Sequence, residues 1–386
     1  MSAARLNGTR PDDSPRARRL SLAAPLFVWG ISAAVVAVGA WAFGYDPWDS
    51  ATWSRFDSGL YEDIARDGYD LFRCDPAVFG PGTWCGDAGW FPGYSWLVGA
   101  LHVVGLPLRG SAVVLSWLFA SATIVLIWAT FLERSVRATA LTALVYAAFA
   151  PGQAYDYAVF PLSLLAFSTV LSLWWLYRGR WIAAGIAGAV AALSYPLGIV
   201  LVPVSAVWIL GQRTVSSSER IRRTALASGL MLVGPVLLVV DQRLETGRWN
   251  AYFLVQDKYH HMLQNPIIAA WHALTPIVDR SPFALDQAAT LQTALVTATL
   301  LLILVHAALR HESLDRLDAL LLLWAVATWV IPWSQSNLSH QRGEAALLPL
   351  AILVARLPWP LSVALAAAAV AIALPMEKLF LDGVLL

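Results

Sequence analysis

Charge is what this chain has least of. Lys, Arg, Asp and Glu make up 13% of its 386 residues, about half of the roughly 25% usual in soluble globular domains, while 58% of the residues are hydrophobic. That balance excludes a water-soluble fold and reads as a polytopic membrane protein. A net charge of +1, with the basic residues scattered between apolar runs, excludes the electrostatic footprint of a nucleic-acid partner. No polar stretch is long enough for a separate soluble domain. Only two cysteines occur, too few for a disulfide scaffold, and no second ligand pair at metal spacing accompanies them.

The apolar runs are plentiful. The first, "APLFVWGISAAVVAVGAWAF" at 24–43, follows an arginine-rich tail (1–23) and ends near an "AWA" that mimics a signal-peptidase site. Its length of about 20 residues crosses a ~30 Å hydrocarbon core, and it is expected to be a retained helix. Ten further spans are expected near 111–132, 138–151, 158–176, 181–195, 196–211, 224–241, 288–309, 318–333, 344–356 and 359–375. Several are shorter than the usual spanning length. The expectation is one all-α bundle of about 11 transmembrane helices (range 10–12) over 24–386, with interfacial helices in the first loop.

Segment 90–108 decides the topology. If it lies in the interface instead of crossing, one side of the membrane collects sixteen of the 26 basic residues, among them Arg134, Arg178, Arg220 and Arg356; if it crosses, that side collects twelve. The positive-inside rule favours the first arrangement. The N-terminus is then cytoplasmic in a multi-pass plasma-membrane protein, and the polar loops face outward. The largest is the first loop, 44–110.

In that loop "TWSRFDSGLYEDIARDGYDLFRCDPAVFGPGTWCGDAGWFPGYSWL" (52–97) carries seven acidic residues and both cysteines. Cys74 and Cys85, separated by turn residues, are expected to form a disulfide, with free thiols as the alternative. The stretch "DSGLYEDIARDGYD" reads as an amphipathic surface helix with Tyr61, Ile64 and Ala65 inward and most of its acids solvated.

The order Trp53, Arg55, Phe56, Asp57, Ser58, Tyr61, then "IARDGY" and "WFPGY", resembles the opening of GT-C glycosyltransferases. In particular it resembles the PIG-V-like branch, named for the second mannosyltransferase of GPI-anchor assembly, which includes bacterial relatives. "RWIAAGIAGAVAALSYPLGIVLV" is similar to that branch's "RPTG"-type helix pair and "HQRGEAALLPLAILVA" to its "RYLLPL" element. Tyr195 departs from the arginine frequent in relatives, and Glu344-Ala345 from an aromatic-leucine pair.

The resemblance implies an inverting transfer of a sugar, mannose by default, from a polyprenyl-phosphate donor to a glycan, glycolipid or protein acceptor. Asp57 is the implied general base, against the alternative of an ordinary helix N-cap. Arg342 is the implied grip on the donor phosphate, against a snorkelling interfacial arginine, with Tyr195, Lys258 and His261 nearby. Glu62, Tyr61 and Trp90 are candidate sugar contacts. Asp156 is assigned to acceptor binding or metal contact, against a helix-start cap. A divalent metal is compatible with the chemistry but has no ligand set of its own. The competing class is a transporter or flippase for a lipid-linked or polar substrate, which would place ionisable residues within the spans.

Overall fold

A computed structural model describes residues 15–132, 137–150, 152–260, 262–278, 286–310, 314–335 and 340–384. Arg134 and His261 lie outside the described residues. The helices are α1 (Pro15–Ala42), α2 (Ser58–Asp67), α3 (Pro76–Phe79), α4 (Gly93–Val103), α5 (Leu108–Ile127), α6 (Arg137–Ala148), α7 (Gln153–Tyr157), α8 (Leu162–Tyr177), α9 (Trp181–Ser194), α10 (Leu201–Leu210), α11 (Ser217–Met231), α12 (Val233–Thr246), α13 (Ala251–Gln256), α14 (Pro266–Val278), α15 (Asp286–Leu309), α16 (Arg316–Ser334), α17 (His340–Ala345), α18 (Leu350–Val354) and α19 (Trp359–Leu381). The described strands are β1 (Leu71–Arg73) and β2 (Trp84–Gly86), an antiparallel pair in the first loop.

Among the described residues six helices are long and apolar enough to cross a membrane: Leu22–Ala42, Leu108–Leu132, Ser217–Thr246, Gln287–Leu309, Arg316–Ser334 and Trp359–Leu381. Four shorter apolar helices, Ala138–Ala148, Leu162–Tyr177, Trp181–Ser194 and Pro196–Leu210, complete ten of the expected passes. The chain is an all-α integral membrane protein. Short helices survive here because neighbours wrap them at glycines. A methyl on Gly185 of α9 would lie 2.8 Å from the Leu226 carbonyl oxygen of α11, so the two backbones meet as small-residue membrane interfaces do.

The remaining pass, expected at 344–356, is not a regular helix. Between α17 and α18 backbone bonds run from residue i+3 to residue i, as in Ala346 to Gly343, Leu347 to Glu344 and Leu350 to Leu347. Such winding rises ~2.0 Å per residue instead of ~1.5 Å. Over the fourteen steps from Arg342 to Arg356, α-helical at α17 and α18 and more tightly wound between them, the pass reaches roughly 25 Å, short of the ~30 Å of the hydrocarbon core. Both ends are anchored: Arg342 pairs with Asp57, and Arg356 donates to Asp318 at 3.1 Å, at the start of α16.

The first loop is held against the bundle by polar bonds. Trp53 is buried and its indole donates to the Pro47 carbonyl at 2.9 Å. The Val159 amide donates to the Trp53 carbonyl at 3.0 Å. Helix α4 packs on α2 so closely that a methyl on Gly99 would sit 2.7 Å from the Ala65 carbonyl oxygen, and the Ser95 hydroxyl donates to the Tyr61 carbonyl at 2.9 Å. Segment 90–108 thus contributes the eleven-residue α4, too short to span. Helices α12 and α13 clip the loop from the side. The Gln242 side chain donates to the Ala88 carbonyl at 2.7 Å, the Gln256 side chain to the Gly89 carbonyl at 2.7 Å, and the Glu245 carboxylate accepts from the Tyr69 amide. Ile64, Tyr69, Phe91, Leu238 and Val255 fill the space between.

Candidate active site

Asp57 stands at the entrance to α2, where an N-cap is expected, yet its side chain makes no capping bond. Its φ of −74° and ψ of −1° are helical, whereas an N-cap residue is normally extended so that its side chain can reach back to the helix amides. Only its backbone carbonyl serves the helix, accepting from Leu60 at 3.0 Å and Tyr61 at 3.3 Å. The cause lies one residue earlier. Phe56 has a φ of +54°, a left-handed conformation uncommon outside glycine. That twist separates Arg55, which donates to the Leu381 carbonyl at 3.0 Å, from Asp57, whose carboxylate is paired with Arg342.

Arg342 belongs to α17, whose residues Arg342, Gly343, Glu344 and Ala345 are all buried. Its guanidinium lies over the rings of Phe160 at 5.1 Å, Phe56 at 5.7 Å and Tyr155 at 5.8 Å. These rings and Phe380 form one cluster, with centroid separations of 5.2 Å for Tyr155 to Phe160 and 5.7 Å for Phe56 to Phe380. The Arg342 Nε is buried without a hydrogen-bond partner among the described residues. A guanidinium fork with an unused N–H is suited to a second anion.

Lys258 is the second cation here. Its Nζ lies 4.9 Å from the Tyr259 ring centroid, 5.7 Å from Trp90 and 5.8 Å from Phe79. Burial lowers its pKa, and the charge of Asp57 opposes that shift. Burial likewise raises Tyr259, to about 12, with Asp57 adding to the rise. Tyr61 is pushed well above the ordinary phenol range by burial and, in smaller part, by neighbouring negative charge including Asp57. Tyr195 sits at the extended break between α9 and the following turn, within electrostatic reach of Arg342 and Asp57. Asp57, Arg342, Lys258, Tyr61, Tyr195 and Trp90 are therefore gathered around one centre from five separate stretches of chain. His340 borders it: burial lowers its pKa to about 4, and its ring stacks on Trp333 with centroids 3.7 Å apart.

Two expected residues lie elsewhere. The Glu62 carboxylate is buried and takes both Arg109 nitrogens at 2.8 Å and the Ser54 hydroxyl at 2.8 Å, which occupies it structurally. Asp156 neighbours Tyr155 on α7 but points the other way, into a small cavity lined by Trp29, Thr123, Gln153 and Ser163, with Oδ1 unpartnered. Neither joins Asp57. Asp63 and Asp67 form surface pairs with Arg66. Cys74 and Cys85 are joined in a disulfide across the hairpin. Among the described residues no three His, Cys, Asp or Glu side chains cluster as a metal site. The aromatic wall of Tyr155, Phe160 and Phe380 carries no sequence signal, since each ring sits in an otherwise ordinary apolar run.

The architecture is that of a GT-C-like membrane bundle with a polar centre at one end. It is similar to the crystal structure of ArnT from Cupriavidus metallidurans bound to undecaprenyl phosphate, with a TM-score of 0.53 and 18% identity over 90% of this chain. This chain covers 62% of that protein's length. Two structures of an Archaeoglobus fulgidus oligosaccharyltransferase, one with Zn and sulfate and one (AglB) with an inhibitory peptide and a dolichol-phosphate, score 0.48 and 0.46 at 13% and 15% identity. They overlap 92% and 96% of this chain, and 52% and 56% of their own lengths. No protein-family model and no curated protein matches the sequence.

Proposed function

We propose that the chain is a glycosyltransferase that moves a sugar from a polyprenyl-phosphate donor to an acceptor hydroxyl, with inversion. The observation that carries this reading is the carboxylate of Asp57, released from capping and held against Arg342 with Lys258 nearby. Asp57 takes the proton as the acceptor oxygen attacks the anomeric carbon. The bond from that carbon to the phosphate oxygen breaks, and polyprenyl phosphate departs with the electron pair. Arg342 and Lys258 stabilise the charge that develops on the leaving phosphate. The solved relative binds undecaprenyl phosphate, which agrees with a lipid-linked donor.

Mannose as the sugar, and a PIG-V-like ancestry, rest on the "SRFDSGLY" and "IARDGY" resemblance. Orientation rests on charge. Consecutive passes alternate in direction, so Arg178, Arg180, Arg213, Arg220, Arg222 and Arg223 fall at the bundle end away from Asp57. The positive-inside rule makes that end cytoplasmic and puts the site on the outer face. Labelling of single cysteines at positions 178 and 220 checks this: reagent confined to the outside should not reach them.

Activity is tested by incubating purified protein with a panel of radiolabelled polyprenyl-phosphate sugars and scoring transfer to a water-soluble acceptor. Transfer from one member, abolished in Asp57→Asn, is expected. No transfer from any, in protein shown to be folded and able to bind the lipid phosphates, would overturn the proposal.

A further inference from the structure

Three arginines on the Asp57 side of the bundle, Arg73, Arg243 and Arg248, have no carboxylate within ion-pair distance among the described residues. Nearby acids are committed elsewhere. Asp75 caps the Ala77 amide, Asp87 accepts from the Asp70 amide, and Glu245 accepts from the Tyr69 amide. The cations rest on indoles, and Arg73 also donates through Nη1 to the Gly82 carbonyl, leaving its other N–H groups open among the described residues. The Arg73 and Arg248 guanidiniums lie 3.9 and 4.6 Å from the Trp84 ring centroid, and Arg243 lies 5.7 Å from Trp249. Two guanidiniums on one ring concentrate positive charge at Trp84, while Asp70, Asp75, Asp241 and Glu245 in the same two segments leave the wider patch without a net positive charge.

Their level in the membrane follows from the chain. The span that includes α12 ends at Thr246. Gly247, with a φ of +74°, closes the helix and turns the chain so that Arg248 returns over the hairpin. Arg243 and Arg248 therefore follow the apolar run that ends at Val240, and Trp84, in contact with Arg248, lies beside them. The surrounding side chains are apolar and exposed: Leu244, Trp249 and Phe253 beside α12, and Phe72, Val78 and Phe79 on the hairpin. Exposed aromatics interleaved with arginines at the end of a span are the composition of the headgroup layer.

We infer that the disulfide hairpin and the end of α12 form a binding site for the phosphate of an anionic phospholipid. Arg73 and Arg248 supply guanidinium N–H groups to its oxygens, and Arg243 adds charge. The exposed rings seat against the upper acyl chains. This site is separate from the chemistry proposed for Asp57 and stands whether or not that chemistry is correct.

Native mass spectrometry of the detergent-purified chain, titrated with phosphatidylglycerol and with phosphatidylcholine, tests it. The unaltered protein should retain phosphatidylglycerol preferentially. Arg73→Gln with Arg248→Gln should lower that preference on the order of tenfold, since each arginine at an anionic surface contributes substantially to attraction. Arg222→Gln, at the opposite end, should leave it unchanged. Arg248→Gln alone, an exposed side chain whose described contact is the Trp84 ring, serves if the double variant fails to fold, and should reduce the preference in part. Equal retention of the two lipids, or a preference that survives the substitutions, would sink the inference. So would retention of undecaprenyl phosphate but not of phosphatidylglycerol, which would assign the patch to the lipid-linked donor.

Discussion

Asp57 and Arg342, 285 positions apart in sequence, form an ion pair at the end of the bundle, with the carboxylate side chain 25% exposed and the guanidinium 11%. The partly open partner is the one proposed to meet the acceptor; the enclosed one faces the aromatic wall and the proposed lipid phosphate. Asp57→Asn preserves shape and frees no helix amide, so the protein should fold, with a stability loss of about 2 kcal/mol for the unbalanced arginine. Its turnover should fall 10²- to 10⁴-fold, roughly 3–5 kcal/mol of transition-state stabilisation, with little change in donor KM. Near-normal turnover in a matched assay would return Asp57 to a positioning role.

Arg342→Ala should fail differently. Loss of charge-assisted hydrogen bonds, worth about 1.5–3 kcal/mol, raises the donor KM on the order of ten- to a hundredfold and lowers the rate as well. Arg342→Lys keeps the charge but not the fork, and should recover only part of the loss. Initial rates over a donor series separate the two parameters.

The same loop shows what could be read in advance and what could not. The spans, the interfacial α4 and the inward face of α2 follow from apolar length and periodicity, which are local properties. Asp57 and Arg342 were each found through short motifs, but their pairing was not, because no local pattern encodes a contact over 285 positions. The positive φ of Phe56 is equally silent, since nothing in "SRFDS" distinguishes a left-handed phenylalanine from an extended one. The ion pair of Glu62 is also silent in the sequence, because its counter-ion, Arg109, lies beyond α4. The pass at 344–356 reads as short in sequence because the tight turns between α17 and α18, which lengthen it, leave no local pattern.

Glu62 therefore makes a prediction of its own. Arg109→Met should destabilise the protein by about 1–2 kcal/mol, because it leaves a buried carboxylate unpaired while Arg109 itself is partly solvated. Donor and acceptor KM should not move. Thermal unfolding in detergent alongside kinetics checks both, and a KM change without a stability change would restore Glu62 to the substrate site.

Asp87 sets a pH dependence. Burial raises its pKa from the ordinary carboxylate value to about 7, against opposing backbone hydrogen bonds. The folded loop thus holds the proton more tightly than the unfolded chain. Its contribution is fully present below about pH 4 and is lost as the pH rises through about 7. The unaltered protein should lose loop stability between pH 5 and pH 8; Asp87→Asn, which can still accept from the Asp70 amide, should remove that component. Melting curves at the two pH values decide it, and identical pH dependence in both proteins would count against the buried-acid account.

The Cys74–Cys85 bond closes a short loop, and by chain entropy it stabilises the hairpin by about 3 kcal/mol. Replacing both cysteines with serine should expose the hairpin to protease while leaving the spans intact. Peptide mapping without reduction should recover the two cysteines as one linked species.

The pass between Arg342 and Arg356 acts as a strut. Each of its ends is pinned by an ion pair, Arg342 to Asp57 and Arg356 to Asp318, and the tight turns between α17 and α18 lengthen it beyond a continuous α-helix of the same residue count. Removing one residue from it would pull Arg342 off Asp57 or Arg356 off Asp318, whereas residues added to the turn at 211–216 would have no such lever on the site. Length, as much as composition, is thus constrained along this stretch. A bilayer that thickens or thins around the protein loads the strut directly, so the rate of the proposed reaction becomes a property of the chain and its lipid together.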